Sequence, residues 1–121
     1  MDIDDPETIS LWLRAFLLTL LFEIPVFVLF VRGRVPMLRA ALAGAAGTCV
    51  THPLLWLVWP YLNPDHYASN LTVAEVLIAI VETLTFFALA RPVKLGRAAA
   101  ASFSANAFSA GVGLFIYWLL G

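Results

Sequence analysis

The stretch ISLWLRAFLLTLLFEIPVFVLFV (residues 9–31), closed by Arg32-Gly33-Arg34-Val35-Pro36, decides the fold. At a rise of about 1.5 Å per residue it is long enough to cross the roughly 30 Å of hydrocarbon in a bilayer. It ends on arginines, a glycine and a proline, which stop a helix and turn the chain. Three more runs of the same kind follow at 37–59, 71–90 and 98–120, separated by polar connections at 60–70 and 91–97. The reading is an all-α integral membrane protein with four transmembrane helices, about 9–31, 37–59, 71–90 and 98–120. Together they make a single domain over residues 1–121.

Composition points the same way. Of 121 residues, 62% are hydrophobic and 12% charged, where soluble domains carry about 45–50% and about 25%. Mean hydropathy is +0.91. A net charge of −1 without a basic cluster excludes nucleic acid as a partner. One cysteine excludes a disulfide framework and a cysteine-based zinc site. Hydrophobicity excludes disorder. The partner that remains is the lipid bilayer. Residues 1–8 are acidic and lack the basic start of a cleavable signal, so the first helix is expected to be retained.

Lys and Arg set the orientation. Arg32, Arg34 and Arg39 flank the first hairpin, and Arg91, Lys94 and Arg97 flank the third connection. The N-terminus, the 60–70 loop and the C-terminus hold no basic residue. Both basic connections are therefore expected in the cytoplasm and both termini outside. Arginine-over-lysine usage with abundant alanine suggests a bacterial inner membrane.

The halves also align. Glu23 set on Glu82 brings Phe27 onto Phe86 and Arg32 onto Arg91. One residue of slack then brings Arg39 onto Arg97, Ala40-Ala41 onto Ala98-Ala99, and Thr48-x-x-Thr51 onto Asn106-x-x-Ser109. Residues 9–59 and 71–120 read as two parallel-repeat hairpins forming a compact bundle, related by an axis along the membrane normal, as in some transporters. Helices 2 and 4 carry small-residue stripes, Ala40/Gly44/Gly47/Thr48/Thr51 and Ala101/Ala105/Ser109/Gly113, which allow close backbone approach in lipid. Trp56, Trp59, Tyr61, Tyr67, Tyr117 and Trp118 fall where an outer interfacial belt is expected. Cys49 reads as a small buried filler.

The polar residues inside the runs carry the functional argument. Glu23, Thr48, Glu82 and Asn106 each lie nine residues from a flanking arginine, roughly 13–14 Å into the membrane. One comes from each helix, so they share a level. A carboxylate there costs about 2.5–3.5 kcal/mol and is expected to face the bundle. Two ionised carboxylates at one level repel, which a shared proton or bound cation relieves. An outer polar level is expected from His52, Thr51, Glu75 and Ser109, with His52 between the glutamates in height. Glu23, Glu82 and His52 form an oxygen/nitrogen set compatible with a divalent transition metal, without a close-spaced ligand pair to mark one. Arg14, nine residues from Glu23, falls on the opposite helix face and is expected to reach outer headgroups or a neighbouring protomer. Pro25 and Pro53 free the carbonyls of Leu21 and Cys49.

These features support a small protein translocating protons or cations through a mid-membrane cluster of Glu23, Glu82, Asn106 and Thr48. A non-catalytic accessory or structural subunit of a larger membrane complex is the alternative, with the same cluster as a hydrogen-bonded clasp. An intramembrane metal-dependent enzyme using His52 with Glu75 or Glu82 stands third. No cofactor is expected beyond a bound cation. Four helices enclose little volume, so a homo-oligomer or partner membrane subunits are expected.

Overall fold

The computed structural model describes residues 4–121; Asp2, part of the acidic start, lies outside them. Four helices fill most of the chain: α1 (Pro6–Phe30), α2 (Met37–Val58), α3 (Tyr67–Leu89) and α4 (Leu95–Leu120). Each is long and apolar enough to cross a membrane, and the described residues contain no strand.

Local chemistry explains the helix ends. Asp5 caps α1, accepting from the backbone N–H of Glu7 (3.2 Å) and the hydroxyl of Thr8 (3.3 Å), and Pro6 fits the first turn because it lacks a donor. The chain reverses after α1 through Gly33 at φ +79°, a conformation a side chain disfavours. Two single-turn 3₁₀ helices, Trp59–Tyr61 and Pro64–His66, link α2 to α3. There the Asn63 side chain accepts from the Asp65 N–H (2.9 Å), and Asn70 donates back to the Asn63 carbonyl (2.8 Å). The third helix thus starts at Tyr67, before the apolar edge at Leu71, because hydropathy marks where lipid begins and not where the backbone first coils.

The helices form a ring in which α1 packs on α2, α2 on α3, α3 on α4 and α4 on α1. Arg39 at the start of α2 donates to the carbonyl of Leu89 at the end of α3 (3.2 Å). Arg97 at the start of α4 donates to the carbonyl of Phe30 at the end of α1 (2.9 Å). Each satisfies a carbonyl that has no partner within its own helix. The same bonds show that α1 and α3 run one way and α2 and α4 the other. The connections bearing Arg32, Arg34, Arg91 and Lys94 therefore share one end of the bundle, called here the arginine end. Trp59 and Tyr67 meet edge to face at the opposite, aromatic end, with centroids 5.6 Å apart.

The apolar core sits toward the arginine end. Phe27 and Phe86 touch across the bundle with centroids 4.7 Å apart, surrounded by Val31, Val35, Ala40, Ala43, Ala90, Val93, Ala98 and Ala101. Lipid is as apolar as these side chains, so close packing and interhelical polar contacts hold the helices together. Close packing is visible at Gly44, where an added Cβ would lie 2.8 Å from the Phe27 ring. The outer surface is a coat of exposed leucines and other large apolar residues, as a lipid-facing surface requires.

Two expectations about helix faces are corrected. Cys49 is exposed, not buried: the inward face of α2 runs through Gly44, Gly47, Thr48, Thr51 and His52, and one step of about 100° past Thr48 turns Cys49 outward. On α4 the buried residues are Ala98, Ala101, Ser102, Ala105 and Asn106, while Gly113 is exposed with open space around it. Strict spacing of four drifts about 40° per step, so the stripe leaves the interface.

Candidate functional site

Glu23 on α1 and Glu82 on α3 are 2% and 1% exposed, two carboxyl groups inside a membrane-spanning bundle. Side chains from neighbouring helices hold both. The Thr48 hydroxyl donates to Glu23 Oε2 at 2.7 Å. The Thr51 hydroxyl donates to Glu82 Oε1 at 2.8 Å, and Asn106 Nδ2 donates to Glu82 Oε2 at 2.7 Å. Asn106 Nδ2 also reaches the Ser102 carbonyl at 2.8 Å. The structure thus brings together all four residues of the inner level, one from each helix. Gly47 makes room, since a Cβ there would lie 3.1 Å from Glu82 Cγ.

Thr51 was expected one level further out, yet it binds Glu82 directly. Side chains on a helix lean toward its N-terminus. Glu82 on α3 therefore leans toward the aromatic end, and Thr51 on the oppositely running α2 leans to meet it.

The two carboxyl groups differ in their surroundings. Both Glu82 oxygens accept hydrogen bonds, whereas Glu23 Oε1 has no partner among the described residues. That oxygen is also not sealed away from open space.

Open space is present. A cavity of about 170 Å³ is lined by residues of all four helices, Glu23, Thr48, Thr51, Glu82 and Asn106 among them. Thr19, His52, Glu75, Ile78, Ser109 and Ala110 also line it. Glu75 and Ser109 are half-buried there, and Glu75 shares the cavity with Glu82 as its seven-residue spacing predicts. Such a volume admits several waters. Among the described residues, three carboxyl groups and a histidine face this space and no Lys or Arg lines it. Arg14 is exposed on the outside of α1.

His52 lines this cavity with Thr51, Glu75 and Ser109, the residues of the outer level, and its ring is also packed among aromatic side chains. It is 8% exposed, and its ring packs against Phe16, Trp12 and Trp56 at centroid distances of 5.4, 6.0 and 6.2 Å. Its Nε2 is buried without a hydrogen-bond partner among the described residues. Among the described residues no three His, Cys, Asp or Glu side chains are grouped as metal ligands. The Glu23/Glu82/His52 metal set is therefore not assembled: all three side chains line the cavity, but the imidazole is packed against Phe16, Trp12 and Trp56.

Thr19, Ser102 and two aromatic partners of His52, Trp12 and Phe16, were not singled out from the sequence, and Trp56 was read only as part of the interfacial belt. Ser102 donates to the Ala79 carbonyl at 2.8 Å, tying α4 to α3, and Thr19 donates to Ala15 on its own helix at 2.9 Å. Each lies four residues before a site residue, Asn106 or Glu23, and that i, i+4 spacing was the available signal. No family model, curated protein or solved structure matches the chain.

Proposed function

We propose that this protein is a small proton translocator whose exchangeable group is Glu23, with Glu82 as its anchored counterpart. The observation that carries the reading is the cavity: Glu23, Glu75 and Glu82 share it with no Lys or Arg to neutralise them. Ionised carboxylates there repel one another in a poorly solvated space, so binding a positive charge stabilises the site. Donor geometry favours the proton over a bare metal ion. A hard cation asks for six or more oxygen ligands, whereas Glu82 has both oxygens committed and Glu23 leaves one free. One oxygen suffices for a proton.

The internal repeat and the orientation belong to the same reading. Contacts pair off under the alignment of Glu23 with Glu82. Glu23–Thr48 corresponds to Glu82–Asn106, and Arg97–Phe30 to Arg39–Leu89. In the core, Phe27 corresponds to Phe86, Val31 to Ala90, Val35 to Val93, Ala40 to Ala98 and Ala43 to Ala101. A pseudo-two-fold axis along the membrane normal accounts for this pairing, with the site where such transporters hold theirs. The arginine end faces the cytoplasm of a bacterial inner membrane by the positive-inside rule, leaving both termini outside. The enclosed volume is small, so the working unit is a homo-oligomer.

The test is dissipation of a pH gradient in proteoliposomes carrying a lumenal pH dye. Wild type collapses the gradient, and Glu23→Gln with Glu82→Gln returns the rate to that of protein-free liposomes. Unchanged flux in the double variant removes the proposal.

A second reading has its own support: the two committed oxygens of Glu82 are what a structural clasp in an accessory subunit requires. Purification from native membranes separates the two. A reproducible partner subunit, together with no flux from the isolated chain, favours the clasp.

A further inference from the structure

The cavity and the apolar core lie on opposite sides of the two glutamates. Thr19, His52, Glu75, Ser109 and Ala110, which line the cavity, are all displaced from Glu23, Thr48, Glu82 and Asn106 toward the aromatic end of their own helices. On the arginine side stand Phe27, Phe86, Val31, Ala90, Ala98 and Ala101, each 0% exposed. Beyond them, Arg39 and Arg97 bind the last carbonyls of α3 and α1.

Those two arginine contacts have a common property. Arg39 belongs to the α1–α2 hairpin and Leu89 to the α3–α4 hairpin; Arg97 and Phe30 stand in the reverse relation. Among the described residues, one other side-chain hydrogen bond joins the hairpins, Thr51 to Glu82 inside the site. The arginine end is thus closed by apolar contacts between hairpins and tied by a reciprocal pair of bonds. The aromatic side of the site keeps its open space.

From this we infer that the site is loaded from the aromatic end alone, through a vestibule whose entrance carboxylate is Glu75. The arginine end is a closed gate made of the Phe27–Phe86 contact and the Arg39 and Arg97 latches. Separation of the two hairpins at that end exposes the carboxyl groups to the other side. The Thr51–Glu82 bond links the site to the same moving interface, so a change of charge at Glu82 bears on hairpin separation. This assignment of route and gate rests on the proposed translocation for its purpose, but its geometry is testable without flux.

The experiment is sided labelling with a membrane-impermeant thiol reagent, using the full-length chain in sealed vesicles. Cys49 is first replaced by Ala; it faces outward, away from the site. Single cysteines are then introduced by Asp65→Cys and Lys94→Cys, exposed markers of the aromatic and arginine ends, and by Ser109→Cys at the vestibule rim. Ser109→Cys is expected to react from the side on which Asp65→Cys reacts, and not from the Lys94→Cys side. Adding Arg39→Ala and Arg97→Ala, both exposed positions, is expected to make it reactive from both sides. Retained reaction from the aromatic side shows that this variant is folded; if it is not, Phe27→Ala replaces it as the gate-opening change.

Reaction of Ser109→Cys from the arginine side with the latches intact overturns the inference. So does unchanged sidedness in a folded variant lacking both latches. Labelling as expected with no proton flux leaves the one-sided vestibule standing and removes the translocation reading. Flux with two-sided labelling removes the gate alone.

Discussion

Glu23 and Glu82 are both buried nine residues from an arginine, but they are not bound alike. Glu82 has Thr51 on one oxygen and Asn106 on the other, whereas Glu23 has Thr48 on one oxygen. That both carboxyl groups share one level of the bundle was legible from their nine-residue spacing to flanking arginines. Which oxygen each donor meets was not, because side-chain lean and helix rotation settle it. A double-mutant cycle between Glu23→Met and Thr48→Val, read by unfolding in mixed detergent, is expected to give a coupling of about 0.6 kcal/mol and no more than about 1.7 kcal/mol. A coupling of zero would mean that the Thr48 bond does not hold Glu23. At His52 the prediction runs the other way. Its Nε2 is buried among aromatic rings with no partner among the described residues, and an unmet buried donor or acceptor costs about 1–3 kcal/mol. His52→Phe is therefore expected to keep or raise stability in the same assay. A clear loss would assign the imidazole a polar role.

At the scale of the element, α2 is the helix on which the bundle closes. Its buried residues are mostly small, Ala40, Ala43, Gly44, Gly47 and Thr48 among them, whereas α1 buries Glu23 and Phe27. The small-residue stripe located this interface in the sequence, but spacing alone could not say where a stripe leaves it. Gly44 and Gly113 show the difference. A Cβ at Gly44 meets the Phe27 ring at 2.8 Å, while one at Gly113 meets nothing within 4 Å. Gly44→Ala is expected to cost about 1–3 kcal/mol through overpacking, and Gly113→Ala to stay within about 0.5 kcal/mol of wild type. Equal effects on thermal stability in detergent would contradict this packing. Cys49 follows the same logic: its neighbour Thr48 is inside, and one residue of helical rotation puts it in lipid.

For the whole molecule, charge and shape divide the bundle into two unlike ends. Six of the seven Lys and Arg residues lie in or beside the two connections at one end, while the tryptophans, the tyrosines and the cavity belong to the other. A reporter active only outside the cytoplasm is expected to work when fused after Gly121, and to fail when inserted in the 32–36 connection. The reverse pattern would overturn the orientation and with it the side from which the site loads. The homo-oligomer expected from the small enclosed volume is checked by mass measurement of the detergent-solubilised protein.

The apolar runs, the arginines that close them and the common level of the buried acids were determined by sequence alone, because hydropathy and a constant helical rise turn residue counts directly into distance along a helix. Rotation about each helix axis is different. A few tens of degrees separate a packed position from a lipid-facing one, and both are equally apolar, so the one-dimensional pattern does not discriminate between them. Only the tertiary structure decided that Thr51 joins Glu82, that His52 meets the cavity with its ring packed among aromatic side chains, and that Cys49 faces outward. It also placed the cavity on one side of the carboxyl groups, with a dry, arginine-tied core on the other.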